Sequence, residues 1–223
     1  MARRYAIRQE AAPVAPISGI DYRTALNEEQ YAAVSSEPGP ALVIAGAGSG
    51  KTRTLTYRVA WLLDHGTDPW NILLLTFTNK AAREMTERVR SLIPLDLSRL
   101  WSGTFHSIAN RILRQHAEYL GYTPAFTIMD SDDRKSMIKS VVKSLKLDEK
   151  STRFPKPEVL SSLFSLADNE GANIRETQEN AYPYLSNHLD AILEVHDQYV
   201  ARKQETNSMD FDDLLLNLSL IHI

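Results

Sequence analysis

The residues best suited to chemistry are Ala45, Gly46, Ala47, Gly48, Ser49, Gly50, Lys51 and Thr52, which stand between an apolar run and an amphipathic segment. A loop of this type turns successive backbone N–H groups into one concavity at the start of a helix, where the helix dipole also favours negative charge. Its glycines let the main chain approach an anion closely. Lys51 then supplies a point charge for β and γ phosphates, and the Thr52 hydroxyl a ligand for the Mg²⁺ that bridges them. Measured against the pattern GxxxxGKS/T, Ala45 occupies the place of the first glycine. A glycine-rich loop that merely turns the chain is the alternative. The phosphate reading requires a buried strand before the loop and a helix after it.

Those elements are legible around the loop. Ala41-Leu42-Val43-Ile44-Ala45 is a short apolar run of the kind expected for a strand buried on both faces. From Thr52, the residues Leu55, Val59, Leu62 and Leu63 recur at helical spacing until Gly66. Upstream, Asn27 can cap a helix that runs to Val34, with Glu28 and Glu29 at its positive end. Downstream the alternation repeats: a buried strand over 72–76, a helix over 80–93 ended by Pro94, a strand over 100–105, and a helix over 107–120 ended by Gly121. Alternating strands and helices predict an α/β fold with a parallel sheet and helices on both faces. After Met129 the pattern changes. Asp130 to Asp133 read as a capped helix start, and helical periods without a strand continue to Gln204, with segments over 132–145, 157–169 and 184–204 and a polar loop over 146–156.

Composition narrows the classes. The 223 residues are 43% hydrophobic and 24% charged, which is the range of globular proteins. A formal charge of −3 excludes a globally basic nucleic-acid binder, so any DNA contact must come from local patches and aromatic stacking. The absence of Cys removes thiolate metal sites and cysteine nucleophiles, and the six His show no ligand spacing. The first twenty residues carry Arg3, Arg4 and Arg8 and then Pro13 and Pro16, with no apolar run behind them. Neither a secretory signal nor a membrane span is expected there, and the cytoplasm is the default location.

Four segments together resemble the superfamily 1 DNA helicases of the UvrD, Rep and PcrA type. Leu26-Asn27-Glu28-Glu29-Gln30 is similar to that family's Q motif, which implies that Gln30 pairs with an adenine edge, although alone it reads as an ordinary exposed helix residue. Ala45 to Thr52 resembles motif I, whose members often carry Ala first, and this implies binding of ATP and Mg²⁺ with Lys51 and Thr52 as catalytic residues. Arg53 matches a position whose guanidinium lies against the adenine ring; a solvated arginine is the alternative. Thr76-Phe77-Thr78-Asn79-Lys80 resembles motif Ia, which implies contacts to DNA, with Phe77 offering a stacking face and core packing as the alternative. Gly103-Thr104-Phe105-His106-Ser107 resembles motif Ib, with Thr104, Phe105 and His106 as the implied DNA contacts; His106 alone would read as a cap or core histidine. Met209 to Leu215 resembles the segment that returns the chain to the sheet, and its acids Asp210, Asp212 and Asp213 are expected in a solvated helix start, without catalysis.

The resemblance implies a partial RecA-like P-loop parallel sheet with an inserted all-helical subdomain. The expected organisation is a flexible tail over 1–23, the amino-terminal part of domain 1A over 24–129, helical subdomain 1B over 130–205, a return toward 1A over 206–217 and a non-native tail over 218–223. Lys135, Lys139, Lys143, Lys146 and Lys150 of the helical part are expected on a solvated face. The implied function is 3′ to 5′ translocation on single-stranded and duplex DNA with strand separation, driven by ATP hydrolysis, in repair or replication and with partners from those processes. No DExx segment of the family's motif II follows, so the chain is expected to bind ATP without turning it over usefully. A helicase subunit of a helicase-nuclease, a P-loop ATPase that ignores DNA, and a nucleotide-binding remnant are the rival readings.

Overall fold

The computed structural model describes residues 16–147 and 154–222. They fall into two compact units, one ending at Phe105 and the other beginning at His106. Part of the predicted loop over 146–156, including Lys150, and the predicted tail up to residue 15 lie outside the described residues.

The first unit contains α1 (Tyr22–Ala25), α2 (Glu28–Val34), α3 (Lys51–Asp64), β1 (Leu73–Thr76), α4 (Asn79–Leu92) and β2 (Trp101–Thr104). Helix α2 starts where a capping box allows it: the Asn27 side chain accepts from Gln30 N at 2.8 Å while the Gln30 side chain accepts from Asn27 N at 3.3 Å. Thr78 caps α4 by accepting from Ala81 N at 3.1 Å. Strands β1 and β2 are parallel, with Leu73 opposite Trp101 and Thr76 opposite Thr104. Val59, Ala60 and Leu63 of α3 share one helix face and pack with Val34, Ile72, Leu74, Met85 and Val89 in a core closed below by Tyr22 and Leu26.

Two expectations need correction here. Residues 41–45 are not in a strand, and Leu42 and Ile44 are 86% and 88% exposed. A strand buried on both faces needs neighbours to take its N–H and C=O groups. Among the described residues the sheet of this unit consists of β1 and β2 alone, so the run has the apolar composition of a buried strand without the ladder that would bury it. The expected partial parallel sheet is present among the described residues of this unit as one parallel pair, β1 and β2. The expected tail over 1–23 also extends too far. Ile17 N and Ser18 N donate to Asp64 Oδ1 at 3.0 and 2.8 Å, the Ser18 hydroxyl donates to Asp64 Oδ2, and Tyr22 Oη donates to the same oxygen at 2.7 Å. Burial pushes the Asp64 carboxyl up, but the hydrogen bonds from Ser18, Tyr22 and Ile17 hold it below the usual carboxylate range.

The second unit contains α5, which begins at Phe105 and ends at His116, then β3 (Thr127–Ile128), α6 (Ser131–Ser144), α7 (Pro157–Glu170), α8 (Ile174–Ala181), α9 (Leu189–Glu205), β4 (Ser208–Met209) and α10 (Phe211–His222). The expected helix over 107–120 is α5 followed by a 3-10 turn, and the expected helix over 184–204 is a 3-10 turn followed by α9. Helix α8 was not anticipated; it is short, polar and capped by Asn173, which accepts from Glu176 N at 2.8 Å. Asp130 and Asp133 form the capping box that starts α6. Ile138, Val141, Leu160, Leu163, Phe164, Ile192, Val195 and Tyr199 make one buried cluster from α6, α7 and α9. A second cluster joins Ala109 and Leu113 of α5 to Phe126, Met209 and Leu214. The parallel pair β3 and β4, Thr127 opposite Ser208 and Ile128 opposite Met209, ties the two ends of the helical stretch together.

Candidate functional site

Helix α3 opens on Gly50, which sits in the left-handed region at φ 85° and ψ 23° and gives no side-chain cap. The first N–H groups of a helix have no intrahelical acceptor, so the amino end of this 14-residue helix presents donors that no side chain of the cap takes. Gly48 is also left-handed, at φ 78°. A Cβ built at Gly46 or Gly48 would meet nothing within 4 Å, whereas one at Gly50 would stand 2.7 Å from Gln30 Nε2. The loop is thus open on one side and closed by Gln30 on the other. Lys51 Nζ is exposed and donates to the carbonyls of Gly46 at 2.6 Å and Ala45 at 3.1 Å. Ser49 Oγ donates to Gly46 O at 2.8 Å. An ammonium bonded to two carbonyls beside helix donors that no capping side chain takes matches a phosphate group in charge and in hydrogen-bonding type.

Gln30 and Arg53 come to the same loop. Gln30 Nε2 donates to Ser49 O at 3.0 Å, and an amide carries two N–H donors, so this bond does not exhaust it. Arg53 Nη2 donates to Ala25 O at 2.9 Å, and its guanidinium lies over the Tyr57 ring at 5.1 Å. Ala47 and Thr52 are exposed beside them. Among the described residues, no three His, Asp or Glu side chains are grouped to hold a metal ion by themselves.

Another set of residues leaves the carboxyl ends of β1 and β2. The register places Thr76 opposite Thr104, so the residues that follow these strands emerge from one edge of the sheet. Phe77 is 94% exposed and Phe105 50%, which removes the core reading for Phe77. Thr76 Oγ1 donates to Thr78 O at 2.9 Å, and the exposed Asn79 and Lys80 begin α4. Two aromatic faces and several polar groups at one strand edge suit stacking on bases and bonding to phosphates.

In the second unit, His106 packs edge to face against Phe211, with ring centroids 5.6 Å apart and planes at 82°. The acids around Phe211 are not solvated as expected: Asp210 is 2% and Asp213 8% exposed. Lys203, 3% exposed, donates to both oxygens of Asp213 at 2.7 Å and to Asp210 Oδ2 at 3.2 Å. Tyr199 Oη donates to the same Asp210 oxygen at 2.7 Å. The Arg134 guanidinium donates to Asp212 and lies 3.7 Å from Asp210 and 4.0 Å from Asp168. Burial pushes Asp210 up, yet Lys203 and Arg134 hold it below the usual carboxylate range; for Asp213 burial wins and the carboxyl is raised. Asp168 is pushed up to about 6 by burial against the pull of Lys203. Sequence reasoning missed this cluster because the charge run looked like a helix cap. The capping spacing of Asp210 and Asp213 gave no signal of burial, since the same box at Asp130 and Asp133 is exposed.

No helix among the described residues is long and apolar enough to cross a membrane. The model of the UvrD/REP helicase N-terminal domain matches residues 26–222. The ATP-dependent DNA helicase PcrA of Staphylococcus aureus (strain NCTC 8325 / PS 47) is 42% identical over 192 residues, which are 86% of this chain and 26% of that protein. The protein of the same name from Staphylococcus epidermidis (strain ATCC 12228 / FDA PCI 1200) matches at the same identity and coverage. The chain thus spans about a quarter of the length of the curated relatives it matches. With the loop at the head of α3, the strand-end aromatics and a family match over nearly all of the described residues, the chain belongs to the UvrD/REP helicase N-terminal domain family.

Proposed function

We propose that this chain is the nucleotide-gripping part of an ATP-dependent DNA helicase that moves 3′ to 5′ along single-stranded DNA and separates duplex, in repair or replication in the cytoplasm. The observation that carries the reading is the amino end of α3: a left-handed glycine cap with no capping side chain, followed at once by an exposed lysine. When bound, Mg-ATP supplies the triphosphate and the charge to be held. The N–H groups at the head of α3 bond phosphate oxygens, and Lys51 exchanges the carbonyls of Ala45 and Gly46 for them. Thr52 provides the hydroxyl ligand to Mg²⁺, and the backbone of Ala45 to Gly50 lines the cradle. Gln30 orients the base through its amide and Arg53 through its planar guanidinium.

For DNA, Thr76, Phe77, Thr78, Asn79 and Lys80 with Thr104 and Phe105 provide the contacts of the first unit, and His106 that of the second. Residues 24–129 form the RecA-like domain 1A, 130–205 the helical subdomain 1B and 206–217 the return. In the whole protein, Lys51→Ala should lower ATP hydrolysis by about a hundredfold or more, since it removes charge stabilisation at the phosphates. Binding of an oligodeoxythymidylate without nucleotide should change less than about twofold, the scale of a remote surface substitution. Wild-type hydrolysis should rise on adding single-stranded DNA. Equal hydrolysis by the variant, or indifference to DNA, would reject the reading.

A further inference from the structure

The ion cluster of the second unit has no part in gripping phosphate, and it is too elaborate for a helix cap. Asp210 N donates to Asp213 Oδ2 at 2.8 Å and Asp213 N to Asp210 Oδ1 at 2.9 Å, which closes the first turn of α10. Both carboxylates are then fixed from a different helix: Lys203 of α9 bridges them, and Tyr199 of the same helix holds Asp210. Arg134 of α6 takes Asp212, whose other oxygen accepts from Asn169 of α7 at 3.4 Å. The three acids flanking Phe211, Asp210, Asp212 and Asp213, are therefore each anchored by an ionic or hydrogen bond to α6, α7 or α9. Phe211 itself is left 49% exposed with its ring against His106.

We propose that Lys203 is a positioning residue for nucleic-acid binding: through the Asp210–Asp213 turn it fixes the Phe211 ring, and the Phe211 ring fixes the His106 imidazole that faces DNA. The inference rests on the reading of His106 as a DNA contact. Its physical basis is that a buried ion network whose carboxylates are each held by a cation from another helix specifies one arrangement and is intolerant of partial loss. The helical insertion thereby acts on DNA affinity without its own side chains touching DNA in this chain of contacts.

The test uses the whole protein, with a fluorescein-labelled oligodeoxythymidylate for affinity and the His106 ring proton resonances for geometry. Phe211→Leu, at a half-exposed position, keeps an apolar side chain and removes the ring. It should shift the His106 resonances and weaken oligonucleotide binding about three- to tenfold, the scale of one lost aromatic pair. Lys203→Met should do the same, Lys203→Arg should restore most of both readouts, and adding Phe211→Leu to Lys203→Met should cost nothing further. Affinity for a fluorescent ATP analogue should stay unchanged throughout. Unmoved His106 resonances in Phe211→Leu would overturn the proposal, as would additive losses in the double variant. Should the wild-type protein not bind the oligonucleotide, the DNA reading fails by itself, and the His106 resonances in Lys203→Met still decide whether the cluster positions that ring.

Discussion

Lys51 and Lys203 are the same residue type in opposite situations. Lys51 is exposed and, among the described residues, bonded to main-chain carbonyls at the head of a glycine-capped helix. Lys203 is buried against two carboxylates at hydrogen-bonding distance. A carbonyl is a neutral acceptor that an anion outcompetes, so Lys51 is free to change partners. A buried carboxylate pair is a fixed countercharge, so Lys203 is not. One lysine is arranged for a ligand and the other for a single conformation.

Removing each charge should separate the two situations in free energy. Lys203→Met leaves Asp210 and Asp213 buried without their shared cation, and loss of one partner of a buried ion pair costs about 3–5 kcal/mol. Lys51→Ala should cost less than about 0.5 kcal/mol, the usual range for surface substitutions away from special features. Trp61, Trp70 and Trp101 all lie in the first unit, so tryptophan fluorescence in a urea titration follows that unit, while far-UV circular dichroism also sees the second. The Lys203 variant should lower the circular-dichroism midpoint. A Lys203→Met protein as stable as the wild type would mean that the cluster contributes nothing and that the contrast is false.

This contrast was only half readable in the sequence. The loop was legible because its function is written locally: glycines, a lysine and a threonine in consecutive positions, followed by the α3 period. The helices that cap themselves were legible for the same reason, as with Asn27 and Gln30 or Asp130 and Asp133. What failed depended on partners far away in the chain. The apolar run over 41–45 predicted a strand, but a strand exists only with neighbours, and its side chains lie exposed. Asp210 looked solvated because nothing within a few residues announces Arg134, 76 positions earlier, or the burial that Tyr199 and Lys203 enforce. Phe77 was open to a core or a DNA-facing reading, and its exposure removes the core one.

A smaller effect should appear in the pH dependence of the buried cluster. Asp168 faces Lys203, Asp210, Asp213 and Arg134, and burial raises its carboxyl to about 6. A carboxyl raised in the folded state binds its proton more tightly there than in the unfolded chain, whose value is about 3.9. Its contribution to stability is therefore complete below about pH 4 and is lost as the pH rises through 6. Two units correspond to about 2–3 kcal/mol. Asp210 and Asp64, both lowered, act in the opposite sense below pH 4, so the measurement is the wild-type stability minus that of Asp168→Asn at each pH. That difference should fall by about 2–3 kcal/mol between pH 4 and 7. A flat difference would show that Asp168 ionises without cost beside Lys203.

The smallest of these effects tests the loop as structure. Gly50→Ala places a Cβ at φ 85°, which costs about 1 kcal/mol in the left-handed region, and sets it 2.7 Å from Gln30 Nε2. The amide is the far end of a flexible side chain, so it can swing away, but only by giving up its 3.0 Å bond to Ser49 O, worth about 0.5–1.5 kcal/mol. The substitution should cost about 1.5–2.5 kcal/mol by the tryptophan midpoint, and only the backbone part, about 1 kcal/mol, when Gln30→Ala is already present. If the cost is the same in both backgrounds, Gln30 does not close the loop. The glycine would then be required by its backbone angle alone, and Lys51 would owe its position to the head of α3 and to nothing from α2.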